Sequence, residues 1–205
     1  MHCRPSPSRS RARRNPLQWL RVWLLAGLTG LLAVAPAWAQ TPHESDEIWL
    51  EVDTSQLLLR IMRGDQILHT FEDIAIGRYG TTRDKRRLDG RTPLGEFRIS
   101  RINNESSFRR FYGFDYPHLE QAERALQAGD LDPSAYVAIR NAVRSRRLPP
   151  QTTVLGGYLG IHGLGTGDPE VHENFNWTNG CIALTNEQID RLAEWVGLGT
   201  RVVVY

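Results

Sequence analysis

The chain has 205 residues, 25 Lys+Arg against 23 Asp+Glu for a formal net charge of +2, and 40% hydrophobic residues. That length suits one domain with a substantial core, and no repeat or low-complexity segment interrupts it. The near-balanced charge gives no nucleic-acid footprint, and no Cys and His spacing of a zinc site is present.

The first 39 residues carry Arg4, Arg9, Arg11, Arg13, Arg14 and Arg21 and no acidic residue, followed by an apolar stretch from Trp23 to Val34. A basic segment, an apolar segment and then Ala37-Trp38-Ala39 before Gln40 are the parts of a secretory signal peptide, with cleavage expected after Ala39. The apolar stretch is short for a bilayer span, and an uncleaved anchor is the other reading. Arg13-Arg14 alone is weak support for a twin-arginine signal. Removing the six leader arginines leaves 19 cationic against 23 acidic residues, a mature net charge of about −4. It also removes Cys3, so Cys181 becomes a single thiol that has no internal disulfide partner, in a compartment where thiols tend to be oxidised. Such a cysteine is either buried and inert or kept for its reactivity, and labelling by an electrophile is expected to tell the two apart.

After a short polar segment at 40–46, one domain is expected over 47–205. Ile48 to Val52, Leu57 to Met62 and Ile67 to Phe71 read as strands of a meander, with Gly64-Asp65 as a tight turn. Arg83 to Arg91 reads as a solvated basic loop, and Thr92-Pro93-Leu94-Gly95 turns the chain into a strand at Glu96 to Ser100. Tyr112, Phe114 and Tyr116 alternate as one face of a strand; a substrate-lining role for Tyr112 and Tyr116 is the sharper alternative. Between 118 and 147, Leu119, Ala122, Ala125 and Leu126 recur at helical spacing, Gly129 stops that helix and Asp132-Pro133 opens another, giving a helical hairpin. Tyr158 to His162 returns as a strand. Thr185 and Gln188 form a capping box for a helix carrying Ile189, Leu192, Ala193 and Val196, and Arg201 to Tyr205 is a last strand.

Cys181 follows Gly180 within Trp177-Thr178-Asn179-Gly180-Cys181-Ile182. A cysteine nucleophile needs an imidazole to take its proton and backbone N–H groups aimed at the developing oxyanion, and a glycine before it lets a substrate carbonyl come close. His162 and His172 are the imidazole candidates. His162 is preferred, since it ends a strand and Gly163 beside it offers a carbonyl for the second ring nitrogen; His172 sits in a polar loop, the usual place of a surface histidine.

Ile161-His162-Gly163 followed by Thr178-Asn179-Gly180-Cys181-Ile182, together with Arg91-Thr92-Pro93-Leu94-Gly95-Glu96-Phe97, resembles the signature of the L,D-transpeptidase catalytic domain of bacterial cell walls. The resemblance covers about 47–205. It implies a mostly β, α+β fold built as a β-sandwich, here with the helical hairpin inserted and a C-terminal helix and strand. It implies Cys181 as nucleophile, His162 as general base and later acid, and Gly163 as the carbonyl that orients the imidazole. The N–H groups of Gly180 and Cys181, with Asn179, would form the oxyanion hole. It implies tetrapeptide stems of peptidoglycan as substrates, or protein attached to murein, at an exported, periplasmic or wall-associated address, with no cofactor or metal and no nucleic acid partner.

Two departures bear on substrate. Ala183 stands where many members carry arginine, and the segment Phe111 to Pro117 with the helical insertion looks more like a subgroup that includes wall-modifying hydrolases. The same Cys–His pair would serve a carboxypeptidase, endopeptidase or amidase if water replaced the amine acceptor. A wall-binding module without catalysis is the third reading.

Overall fold

The computed structural model describes residues 46–205. The expected leader, its cleavage point and most of the polar segment at 40–46 lie outside the described residues. In chain order the elements are β1 (Ile48–Asp53), β2 (Leu58–Arg63), β3 (Gln66–Phe71), β4 (Thr81–Thr82), β5 (Thr92–Pro93), β6 (Gly95–Ser106) and β7 (Arg109–Phe114). There follow α1 (Leu119–Gln127), α2 (Pro133–Arg144), β8 (Gly160–His162), α3 (Pro169–Asn174), β9 (Ile182–Ala183), α4 (Asn186–Leu192) and β10 (Arg201–Val204). Among the described residues no helix is long and apolar enough to cross a membrane.

Eight strands form one sheet in the order β3-β2-β1-β10-β6-β7-β8-β9. The opening meander holds as expected, its inward positions Leu50, Val52, Leu59 and Ile61 fully buried. Arg63-Gly64-Asp65 is the turn between β2 and β3, with Gly64 at φ +52°. The last strand, β10, lies parallel to β1 and antiparallel to β6, so the chain's end is sealed inside the sheet by Val202 and Val204.

Strand β6 is longer than its sequence suggests. Its first half pairs with β10, its second half with β7, and a register shift between Ile99 and Arg101 separates the two. A bulge of this kind bends the strand and re-aims the side chains beyond it. The polar run Arg101 to Ser106 hid the second half, because only one of its faces meets the protein. Phe97 and Ile99 anchor the bend, Phe97 stacking on Phe114 at 5.1 Å. Each such side chain contributes about 2 kcal/mol by burial, enough to keep the sheet stiff beneath β7, β8 and β9.

The helical hairpin forms as expected. Asp132 caps α2 by accepting from the Ser134 N–H at 2.7 Å, with Pro133 in the first turn. At α4 the capping box is reciprocal: Thr185 Oγ1 accepts from Gln188 N at 3.2 Å, and Gln188 Oε1 accepts from Thr185 N at 2.9 Å. The helix ends at Leu192, short of Ala193 and Val196, which the helical spacing includes.

Candidate active site

The sheet register gathers the site. β8 runs parallel to β9 with Ile161 opposite Ile182 and His162 opposite Ala183. Ile161 and Ile182 therefore point into the core, both fully buried, while Cys181 and His162, one position to either side of that pair, share the opposite face. Strand spacing and rise place their Cα atoms roughly 8 Å apart, within reach of two side chains meeting over the sheet.

His162 is 3% exposed. Its Nδ1 lies 2.7 Å from the Gly163 carbonyl. A carbonyl only accepts, so Nδ1 carries the proton and Nε2 is left with a free lone pair. Gly163 is required by space: a Cβ there would meet Ile189 Cγ2 and the Phe108 carbonyl at 2.7 Å. The ring lies among Phe108 at 4.3 Å, Trp177 at 5.8 Å and Phe111 at 6.4 Å. Burial holds its pKa below the usual histidine value, so the imidazole is neutral near pH 7.

Cys181 is partly exposed. Its thiol donates to the Tyr158 carbonyl at 3.6 Å. The protein around it pushes the thiol up to about 11, against smaller opposing pulls from the Gly160 backbone and the Lys85 charge. Thiol and imidazole are therefore both neutral at rest. Alkylation by iodoacetamide at pH 7.5 should run roughly 30-fold slower than for a free cysteine, the lost thiolate fraction being partly offset by its greater nucleophilicity. Its rate should keep climbing with pH towards 11; a plateau below pH 8 would show a preformed thiolate and overturn the neutral pair.

The turn that presents Cys181 is tied by Thr178, whose hydroxyl donates to the Cys181 carbonyl at 2.7 Å and accepts from the Gly180 N–H at 3.1 Å. This corrects one expectation: the Gly180 N–H is already engaged, which leaves the Cys181 N–H as the backbone donor of that pair. Gly180 sits at φ +125°, and a Cβ on it would meet the Arg91 carbonyl at 2.5 Å. Asn179 is fixed at both ends, its side-chain oxygen accepting from Arg78 at 2.5 Å and its carbonyl from Lys85 at 3.2 Å.

Lys85 departs from the expected solvated loop. It is 2% exposed, paired with Asp89, and lines the cleft of about 290 Å³ that opens at Cys181. A buried ammonium persists only with such partners. Asp89 also accepts from the N–H groups of Arg86 at 2.7 Å and Arg91 at 2.9 Å, so one carboxylate folds the whole 83–91 loop around the lysine. Nothing in the sequence marked this lysine among five arginines and lysines.

Three expected site residues lie elsewhere. Tyr112 pairs with Ile161 and is 2% exposed, on the core side of β7. Tyr116 is fully buried, its hydroxyl donating to the Leu155 carbonyl at 2.9 Å. Neither is exposed to a substrate: Tyr112 faces the core from β7, and Tyr116, beyond the end of that strand, is buried with its hydroxyl engaged. His172 is no surface residue: α3 buries it, with Trp177 Nε1 donating to its Nδ1 at 3.3 Å. Trp177 stands between the two imidazoles, 6.4 Å from His172, so His172 backs the wall behind His162.

Asn186 is a further residue the sequence did not flag. Its amide accepts from the Gly165 N–H and donates to the Gly165 carbonyl, both at 2.8 Å, clamping the chain just after His162-Gly163. Among the described residues no group of three or more His, Cys, Asp or Glu is placed to hold a metal ion.

A family model described as the L,D-transpeptidase catalytic domain, YkuD, matches residues 47–204. Among solved structures, Bd1075 of Bdellovibrio bacteriovorus is 16% identical over 81% of this chain and 50% of its own, with a TM-score of 0.51. The helical cell shape determining protein Pgp2 of Campylobacter jejuni is 18% identical over 78% of this chain and 50% of its own, with a TM-score of 0.50. An L,D-transpeptidase of Xylanimonas cellulosilytica is 16% identical over 80% and 63%, with a TM-score of 0.45. At these identities the likeness is one of fold, and the chain spans about half the length of the first two. The comparison with curated proteins found no match. With a family match running from β1 through β10, this chain belongs to the peptidoglycan-modifying L,D-transpeptidase catalytic-domain family.

Proposed function

We propose that this protein is an exported enzyme that acts on tetrapeptide stems of peptidoglycan by acyl transfer through Cys181. The observation that supports the reading is the strand register: Ile161 faces Ile182, so His162 and Cys181 flank that buried pair from either side, and the imidazole Nδ1 is held by the Gly163 carbonyl. Support for export comes from the leader-like composition of residues 1–39, and the catalytic unit is 47–205.

As the stem carbonyl enters the cleft, the thiol releases its contact with Tyr158 and passes its proton to His162 Nε2 while sulfur attacks carbon. The Cys181 N–H, with Asn179 held beside it, faces the oxyanion. The tetrahedral intermediate collapses by breaking the peptide C–N bond. His162 returns its proton to the leaving D-amino acid, and a thioester remains on Cys181. An amine from a second stem, deprotonated by His162, then attacks the thioester and forms a new amide.

Purified protein incubated with tetrapeptide muropeptides should gain, by intact mass, one stem less its terminal residue on Cys181, and release crosslinked dimers. Shortened monomers in place of dimers would make water the acceptor. Absence of both the adduct and any product would sink acyl transfer and favour a wall-binding module.

A further inference from the structure

We infer that Arg101 binds the C-terminal carboxylate of the donor stem, the carboxylate on the residue that leaves; this rests on the acyl-transfer reading above. The same register that builds the site supports it. Arg101 of β6 lies opposite Gly113 of β7, and Gly113 lies opposite Gly160 of β8, the residue before the Ile161–Ile182 pair and so level with Cys181. Facing residues of paired strands project to one side of a sheet. One row therefore carries an arginine at one end, a thiol at the other and two glycines between.

Gly113 leaves the space beside the arginine open. A Cβ at Gly113 would lie 3.4 Å from Arg101 Cβ, 3.7 Å from its Nε and 2.9 Å from the Phe111 ring. The arginine therefore lies across β7, towards the thiol. Its guanidinium stacks at 5.2 Å over Phe111, which faces His162 in the register, and at 5.8 Å over Tyr158, which lines the Cys181 cleft. Two rings hold the group in place, and stacking leaves guanidinium N–H groups available to an anion. Arg101 is exposed and makes no ion pair among the described residues.

The other cations near the thiol are less available. Lys85 is taken by Asp89 and Arg78 by Asn179. Arg87 lines the Cys181 cleft from the 83–91 loop, but among the described residues no aromatic ring holds its guanidinium.

The distances also fit. Two strand spacings separate the advanced guanidinium from the thiol, about 10 Å. Attack at about 3 Å, one residue of about 3.5 Å and a guanidinium–carboxylate contact of about 4 Å fill that interval. A planar guanidinium recognises such a carboxylate with two parallel hydrogen bonds.

The test compares kcat/KM for a tetrapeptide muropeptide and for its C-terminal amide. Wild type should prefer the acid roughly 10- to 100-fold. Arg101→Gln should lose that preference through KM for the acid alone, Arg101→Lys should keep part of it, and Arg87→Gln should leave it intact. Equal losses on both substrates, a preference that survives Arg101→Gln, or one that vanishes in Arg87→Gln would overturn the assignment. Binding of both peptides to the Cys181→Ala protein, read by tryptophan fluorescence, makes the same comparison without turnover. An inactive wild type would then count against acyl transfer, while the binding preference still decides the carboxylate contact.

Discussion

Cys181→Ala is expected to abolish product formation from tetrapeptide muropeptides, lowering the rate by roughly 10⁴-fold or more. The size follows from the chemistry. Without sulfur no thioester forms, and the remaining groups only bind the stem and polarise its carbonyl, a residue of catalysis that survives the loss of a nucleophile in other acyl-transfer sites. The fold should be indifferent to the change. Cys181 is partly exposed, and the turn beneath it is held by Thr178 and Gly180, not by the thiol. A stability change within about 1 kcal/mol, or roughly 2–4 °C in Tm, is expected for a domain of this size. Mass spectrometry of the products with a parallel melting curve checks both halves. Activity within tenfold of wild type would remove Cys181 from the chemistry.

For the exported enzyme proposed above, the arrangement would let a nucleophilic cysteine persist in an oxidising compartment. A thiol pushed up to about 11 is almost wholly protonated at neutral pH, and oxidants as well as electrophiles attack the thiolate. Slow labelling is thus compatible with catalysis, so the pH dependence of labelling discriminates a catalytic from an inert thiol better than its rate at one pH. Lys85 offsets part of the penalty. Its charge lies on the Asn179 side of the thiol, where the developing thiolate and oxyanion would both benefit.

Much of the sheet was legible because its signals are local. Period-two patterns marked β1 to β3, Gly64-Asp65 marked their turn, and Thr185 with Gln188 marked the start of α4. The proposed pairing of Cys181 with His162 rests on the motif together with the register of β8 and β9. What the sequence hid depends on strands distant in the chain meeting in register. Arg101 faces Gly113 only because a bulge after Ile99 shifts the register of β6 against β7. Lys85 is buried only because Asp89 gathers its loop. Tyr112 and Tyr116 looked available because alternation gives two faces without saying which is the core; the pairing of Tyr112 with Ile161 decides it. His172 was misplaced because Asp168-Pro169, a helix start, lies within a polar run.

His162→Ala should lower kcat/KM by roughly 10²- to 10⁴-fold, the range for losing a general base. The pH profile tells more than the magnitude. The base works as the neutral ring, so the wild-type rate should rise with pH through the pKa of His162. Burial holds that pKa below its ordinary 6.5, so the acid limb should lie below pH 6.5, and it should vanish in the variant. Stability carries the same sign. The native state keeps this ring unprotonated while the unfolded chain takes up a proton near 6.5, so stability is lost as pH falls from 6.5 through the lower native pKa. His162→Ala should melt less steeply with acid over that window. An acid limb at or above pH 7, joined by an alkylation plateau, would instead mean an imidazolium paired with a thiolate at rest, and the proton would already have moved before any substrate arrived.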